Sequence, residues 1–129
     1  MCGWLVKNGY PSGYQVLCHN CNSLKSWPAR TSVKRAAKFR LEDALKEETI
    51  SAYSDGSNRC NGCGRDDIRL LGLDHPAMDG AAHRRSLNVI GGKQMYRKLR
   101  ADGFPPGYQI LCFSCNLADY LERKSKERP

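Results

Sequence analysis

The first 41 residues of this 129-residue chain contain no aspartate or glutamate. No apolar run approaches the roughly 18 residues of a membrane span, which excludes a membrane-crossing helix. No signal-like segment is recognisable, so the expected compartment is reducing and cytoplasmic. Apolar residues make up only 40 % of the chain. A chain this small and this poor in core-forming side chains needs a metal or disulfide staple.

The cysteines supply the staple. Six of the seven fall in three Cys-x-x-Cys pairs, Cys18/Cys21, Cys60/Cys63 and Cys112/Cys115. That spacing reads as zinc ligation rather than disulfide bonding. The net charge is +8, which points to a polyanionic partner. Its distribution says more. The acid-free stretch 1–41 carries Lys7, Lys25, Arg30, Lys34, Arg35, Lys38 and Arg40, whereas the remainder is nearly neutral. The expected organisation is a basic N-terminal arm, 1–41, a zinc domain, 42–125, and a short tail, 126–129. A solvated basic helix face is the plainer explanation of the arm.

One internal repeat is evident. Residues 8–22 read NGYPSGYQVLCHNCN and residues 102–116 read DGFPPGYQILCFSCN, identical at nine of fifteen positions at an offset of 94. In each copy Pro and Gly make a turn, Tyr-Gln-(Val/Ile)-Leu suggests a short strand, and Cys-x-x-Cys-Asn opens the next element. Between the copies, Trp27-Pro28 interrupts regular structure, and Thr31 or Ser32 is a candidate cap for a helix over about 33–53. That helix is one piece or is broken near Arg40. A strand is expected over 68–73, a small-residue loop over 77–82, and a short helix over 94–101. A strand over 108–111 and a helix from Cys112 to about Lys124 follow, the helix with Leu117, Tyr120 and Leu121 on its inner face.

Cys60, Cys63, Cys112 and Cys115 form a complete set of four thiolates, which marks a structural zinc with no open position. The staple joins the strand that ends in Asp74-His75 to the helix that begins near Asn116. A histidine can take a proton from water near neutral pH. An aspartate and an asparagine offer the hard oxygens that Mg²⁺ or Mn²⁺ prefers, with positions left for water and a phosphate. Adjacent strand residues point to opposite faces, so Asp74 and His75 converge only where the strand ends or bulges, and Pro76 favours that.

The run CNGC…LGLDH…DGAAHRR…YRKLRADGFPPGYQILCFSCN, over about residues 42–118, resembles the phage-type HNH endonucleases of the recombination endonuclease VII group. The resemblance implies an α+β, zinc-stapled treble-clef domain with a ββα-metal core. It implies a metal-dependent DNA endonuclease acting on double-stranded DNA through one metal ion and a histidine base. His75 is then the general base, and Asp74 with Asn116 holds the catalytic ion. His83 is a further candidate for the scissile phosphate or the metal, with a solvent-facing histidine as the alternative. Arg84, Arg85, Arg97 and Arg100, with Lys34, Arg35, Lys38 and Arg40 of the arm, are candidate phosphate contacts. A phage-encoded protein of this kind works in the host cytoplasm.

The N-terminal copy departs from the family. It looks like the second half of another such unit, with no matching Cys-x-x-Cys turn and no Asp-His before it. Asn22 corresponds to Asn116 but has no base to serve, so this copy is expected to be inactive. A second zinc at Cys18 and Cys21 needs two further ligands. Cys2 and the awkwardly placed His19 are local candidates, a symmetric homodimer could pool two pairs, or Cys18/Cys21 could compete with Cys112/Cys115 for the Cys60/Cys63 turn. A degenerate basic arm is the plain alternative. For the whole chain, the rival functions are a non-catalytic zinc module that binds nucleic acid and a protein-interaction zinc finger.

Overall fold

A computed structural model describes residues 2–25, 33–77, 80–89 and 92–127, excepting the side chains of 33–42 and 80. The described elements are α1 (Cys2–Lys7), α2 (His19–Lys25), α3 (Val33–Tyr53), β1 (Leu71–Asp74), α4 (Gly80–Ser86), α5 (Gly92–Ala101), β2 (Gln109–Cys112) and α6 (Phe113–Lys126). The described residues are thus mixed helices around one two-stranded sheet. No described helix is long and apolar enough to cross a membrane.

The sheet is an antiparallel pair in which Leu71 faces Cys112 and Asp74 faces Gln109. Each strand is four residues long, too short to stand alone in water. Helix α3 covers it. Ile50 is fully buried with Leu70, Leu71, Ile110 and Leu111 in one cluster, and Leu24 of α2 packs against the same cluster. Fully burying such a side chain contributes about 1.5–3 kcal/mol. Few do so here, as the low apolar content requires, and two of the cluster's members are Cys60 and Cys112. The staple is therefore built into the core. Helix α5 inserts Met95 and Leu99, both buried. The Tyr53 hydroxyl donates to the Pro105 carbonyl at 2.8 Å, tying the end of α3 to the turn before β2.

Several expectations shift. Of the two alternatives for the long helix, it is one piece through Arg40. Residues 68–70 form a turn, closed by the Leu70 N–H on the Asp67 carbonyl at 2.9 Å, so the strand begins at Leu71. Part of the small-residue stretch is helical, since α4 starts at Gly80. The inner face expected of α6 is absent: Leu117, Tyr120 and Leu121 are 42 %, 45 % and 56 % exposed. A two-stranded sheet covers only the first turns of α6, and the rest projects beyond it. Trp27-Pro28 and the caps Thr31 and Ser32 lie outside the described residues, as do 78–79 of the loop.

The repeat in sequence is a repeat in conformation. Gly9 and Gly103 have φ of 67° and 74°, Tyr10 and Phe104 both 54°, and Gly13 and Gly107 95° and 114°. The Tyr10 N–H reaches the Leu5 carbonyl at 3.0 Å, and the Phe104 N–H reaches the Leu99 carbonyl at 2.8 Å. Each pair stands at the 94-residue offset. One difference is decisive. Residues 14–18 form no strand, although 109–112 do, because the N-terminal copy has no counterpart of β1 to pair with.

Candidate metal centre and adjoining cleft

The four sulfur atoms of Cys60, Cys63, Cys112 and Cys115 lie within 4.8 Å of one another. Cys60 and Cys63 stand on a tight turn, in which the Gly64 N–H donates to the Cys60 carbonyl at 2.9 Å and the Cys60 N–H to the Arg65 carbonyl at 2.8 Å. Space at Gly62 is tight, since a Cβ there would stand 3.0 Å from the Cys115 sulfur. Cys112 ends β2 and Cys115 lies in the first turn of α6. The sulfurs of Cys63 and Cys112 are 3.7 Å apart. Four thiolates at about 2.3 Å from a tetrahedral zinc stand roughly 3.8 Å from each other, so the cluster fits that ion.

The four thiols are placed so that they could hold a cation. Burial opposes ionisation of Cys60, but the backbone amides of Cys112, Cys63 and Gly62 outweigh it and lower the thiol. Burial likewise opposes ionisation of Cys112, but the Asn20 side chain and Cys115 bring it down to about 6. Cys115 is pushed well up by burial and by the sulfurs of Cys112, Cys63 and Cys60. Thiolates this close repel one another, and a divalent ion relieves that repulsion.

The bond from Asn20 was not legible in the sequence. Asn20 is 3 % exposed. Its Nδ2 donates to the Cys112 sulfur at 3.3 Å, its backbone N–H reaches Ser114 Oγ at 3.2 Å, and its Oδ1 accepts from the Ser114 N–H at 3.0 Å. Asn20 and Ser114 are equivalent positions of the repeat, and so are His19 and Phe113, whose rings meet edge to face at 5.6 Å. The two copies therefore meet through corresponding residues, as in a pseudo-two-fold contact. Cys18 and Cys21 are both exposed. Among the described residues, no third cysteine, histidine or carboxylate joins them, so neither Cys2 nor His19 completes a site.

Beyond the staple, the sheet delivers the sequence-expected groups to one cleft. Asp74 is the last paired residue of β1 and His75 lies just outside it, which removes the alternation problem by ending the strand between them. Asn116 Nδ2 lies 2.9 Å from Asp74 Oδ1, across 42 positions. Gln109 Nε2 donates to Asp74 Oδ2 at 2.8 Å. His75 Nε2 is 3.2 Å from His83 Nδ1, and that same nitrogen is 2.9 Å from the Tyr108 hydroxyl. A cavity of about 410 Å³ opens beside Asp74, His75, Asn116, Arg84 and Arg123.

The basic residues divide. Arg84 lines this cavity. Arg85 and Arg97 are exposed on α4 and α5, and Arg100 pairs with Glu48 of α3 at 3.2 Å. The side chains of Lys34, Arg35, Lys38 and Arg40 lie outside the described residues. Arg123, not singled out in the sequence, donates to the Pro76 carbonyl at 2.7 Å and pairs with Asp119 at 2.6 Å. Tyr108 and Gln109 were also missed, although both are identical in the two copies of the repeat, as Tyr14 and Gln15. No family model, curated protein or solved structure matches the chain.

Proposed function

We propose that the chain is a metal-dependent DNA endonuclease of the HNH type, stapled by a zinc ion at Cys60, Cys63, Cys112 and Cys115. The observation that carries this reading is the convergence of Asp74, His75 and Asn116 at one cleft edge, from a strand end and a helix start locked together by four cysteines. Asn116 Nδ2 donates to Asp74 Oδ1 at 2.9 Å, so the two side chains already meet where they would share an ion. Asp74 and Asn116 would hold Mg²⁺ or Mn²⁺. The ion's chemistry is to neutralise charge building on the phosphate and to ease departure of the leaving oxygen.

The chain's own groups do the rest. Gln109 fixes the Asp74 carboxylate through Oδ2 and leaves Oδ1 facing Asn116. His75 accepts the proton of the attacking water, and its contact with His83 holds the ring in place. Tyr108 orients His83 in turn. Arg84 supplies positive charge where a phosphate enters, while Arg123 is held by Asp119 and the Pro76 carbonyl. DNA is the proposed partner, with the basic stretch 1–41 as an additional backbone contact. Incubation of supercoiled plasmid with the protein, with Mg²⁺ or with a chelator, tests the reading. Cleavage only with the ion is expected. Salt-sensitive binding without cleavage would instead favour a non-catalytic zinc module.

A further inference from the structure

The N-terminal copy is a folded half-site whose other half is visible elsewhere in the same chain. Its turn has positive φ at the same three positions as the C-terminal turn. Yet Val16 is 101 % exposed where Ile110 is 1 %, and Leu17 is 38 % exposed where Leu111 is 6 %. Beside them lies a groove of about 540 Å³ lined by Tyr14, Gln15, Val16, Leu17 and Asn22. Their equivalents Gln109–Cys112 carry β1 as an antiparallel partner, and the equivalents of Cys18 and Cys21 carry the Cys60/Cys63 turn.

We propose that residues 14–22 are a docking site for a second polypeptide that presents a Cys-x-x-Cys turn followed by an antiparallel strand, closing a four-thiolate metal site with Cys18 and Cys21. What fits is set by the C-terminal copy. The strand register places one partner strand along 15–18, and the two exposed thiols lack two sulfurs of a tetrahedral set. A second copy of this chain is the weaker occupant, because its Cys60 and Cys63 already face its own Cys112 and Cys115. Antiparallel pairing of two 14–18 segments across a two-fold axis would set each Cys18 opposite the far end of its partner strand, away from the other Cys18. The contact of α2 with α6 through Asn20 and Ser114 ties the half-site to the zinc domain, while Tyr14–Leu17 line an open groove. This inference rests on the thiol geometry and not on nuclease activity.

The test uses the full-length protein with its first site filled by zinc, and a synthetic peptide of residues 58–76, which carries the Cys60/Cys63 turn and the β1 strand. Cobalt is the added ion, because its absorption reports four-thiolate ligation. The expected result is uptake of one further metal and one peptide per chain, each requiring the other. The double variant Cys18→Ser/Cys21→Ser, altered only at exposed positions, should keep the first metal and lose both. Three outcomes would overturn the proposal. The first is uptake of neither metal nor peptide by the unaltered chain. The second is equal uptake by the double variant. The third is a second metal bound without peptide in a dimer, at half an equivalent per chain.

Discussion

Gln109 Nε2 holds one oxygen of Asp74 at 2.8 Å while Asn116 stands 2.9 Å from the other. The strand pairing that sets Asp74 opposite Gln109 thereby aims the carboxylate at the start of α6. Removing an outer partner of a metal ligand typically costs 10–100-fold in affinity. Gln109→Leu is therefore expected to weaken Mn²⁺ binding about 10–100-fold, measured by titration calorimetry. Asp74→Ala should lose more, and Asn116→Ala should fall below Asp74→Ala in effect, since an amide oxygen binds a cation less strongly than a carboxylate. Unchanged Mn²⁺ affinity in all three would remove the ion from this cleft.

The staple makes a folding prediction. Structural zinc binding is coupled to folding, so Cys60→Ser is expected to abolish the cooperative thermal transition. Asn20→Ala is gentler. It removes a buried donor to a thiolate and leaves the Ser114 N–H without its acceptor. A hydrogen bond to a charged group contributes about 1.5–3 kcal/mol. Zinc transfer to a chromophoric chelator should accelerate in this variant. If its rate and the thermal midpoint stay unchanged, the N-terminal copy does not support the zinc site.

The legible part of the fold was the part written in chemistry with fixed spacing. The three Cys-x-x-Cys pairs and the repeat located both halves of the staple, and the residue order Leu-Asp-His-Pro located the strand end. Helix α3 was legible from its cap candidates and its apolar spacing. The strands were misplaced by one to three residues because their limits depend on pairing, which no local pattern encodes. Leu117, Tyr120 and Leu121 have helical spacing, but spacing does not say how far a two-stranded sheet extends beneath a helix. Asn20 carries no sequence signal of its own, and only tertiary contact gives it a role. Residues 14–17 have the composition of a strand and lack a neighbour, so propensity alone misled.

Tyr53 gives an alkaline signature. Burial first, with the nearby Tyr108 and Asp102, raises its hydroxyl to about 12. The folded protein thus favours the neutral phenol more than the unfolded chain does. The sign follows: this stabilisation is whole below the unfolded value of about 10 and fades as pH rises towards the folded one. Tyr53→Phe, which also loses the bond to Pro105, should be less stable than the parent at neutral pH. The gap should narrow between about pH 10 and 12. Denaturant melts across that range would show it, and a constant gap would contradict the linkage.

The basic arm predicts a salt effect. Changing Lys34, Arg35, Lys38 and Arg40 to glutamine should lower affinity for duplex DNA and flatten its dependence on salt. The slope should fall by about 0.9 for every phosphate no longer neutralised. Equal slopes for both proteins would place the DNA-binding surface elsewhere.

The most direct test of the central claim is the rate of Mg²⁺-dependent plasmid cleavage by His75→Ala beside the unaltered chain. General-base catalysis contributes about 10²–10⁴-fold, and a loss of that size is expected, with DNA binding retained. Asn22→Ala, at the position equivalent to Asn116, should cleave at the parent rate. Cleavage by His75→Ala as fast as the parent, or no cleavage by the parent with Mg²⁺ or Mn²⁺, would contradict the assignment.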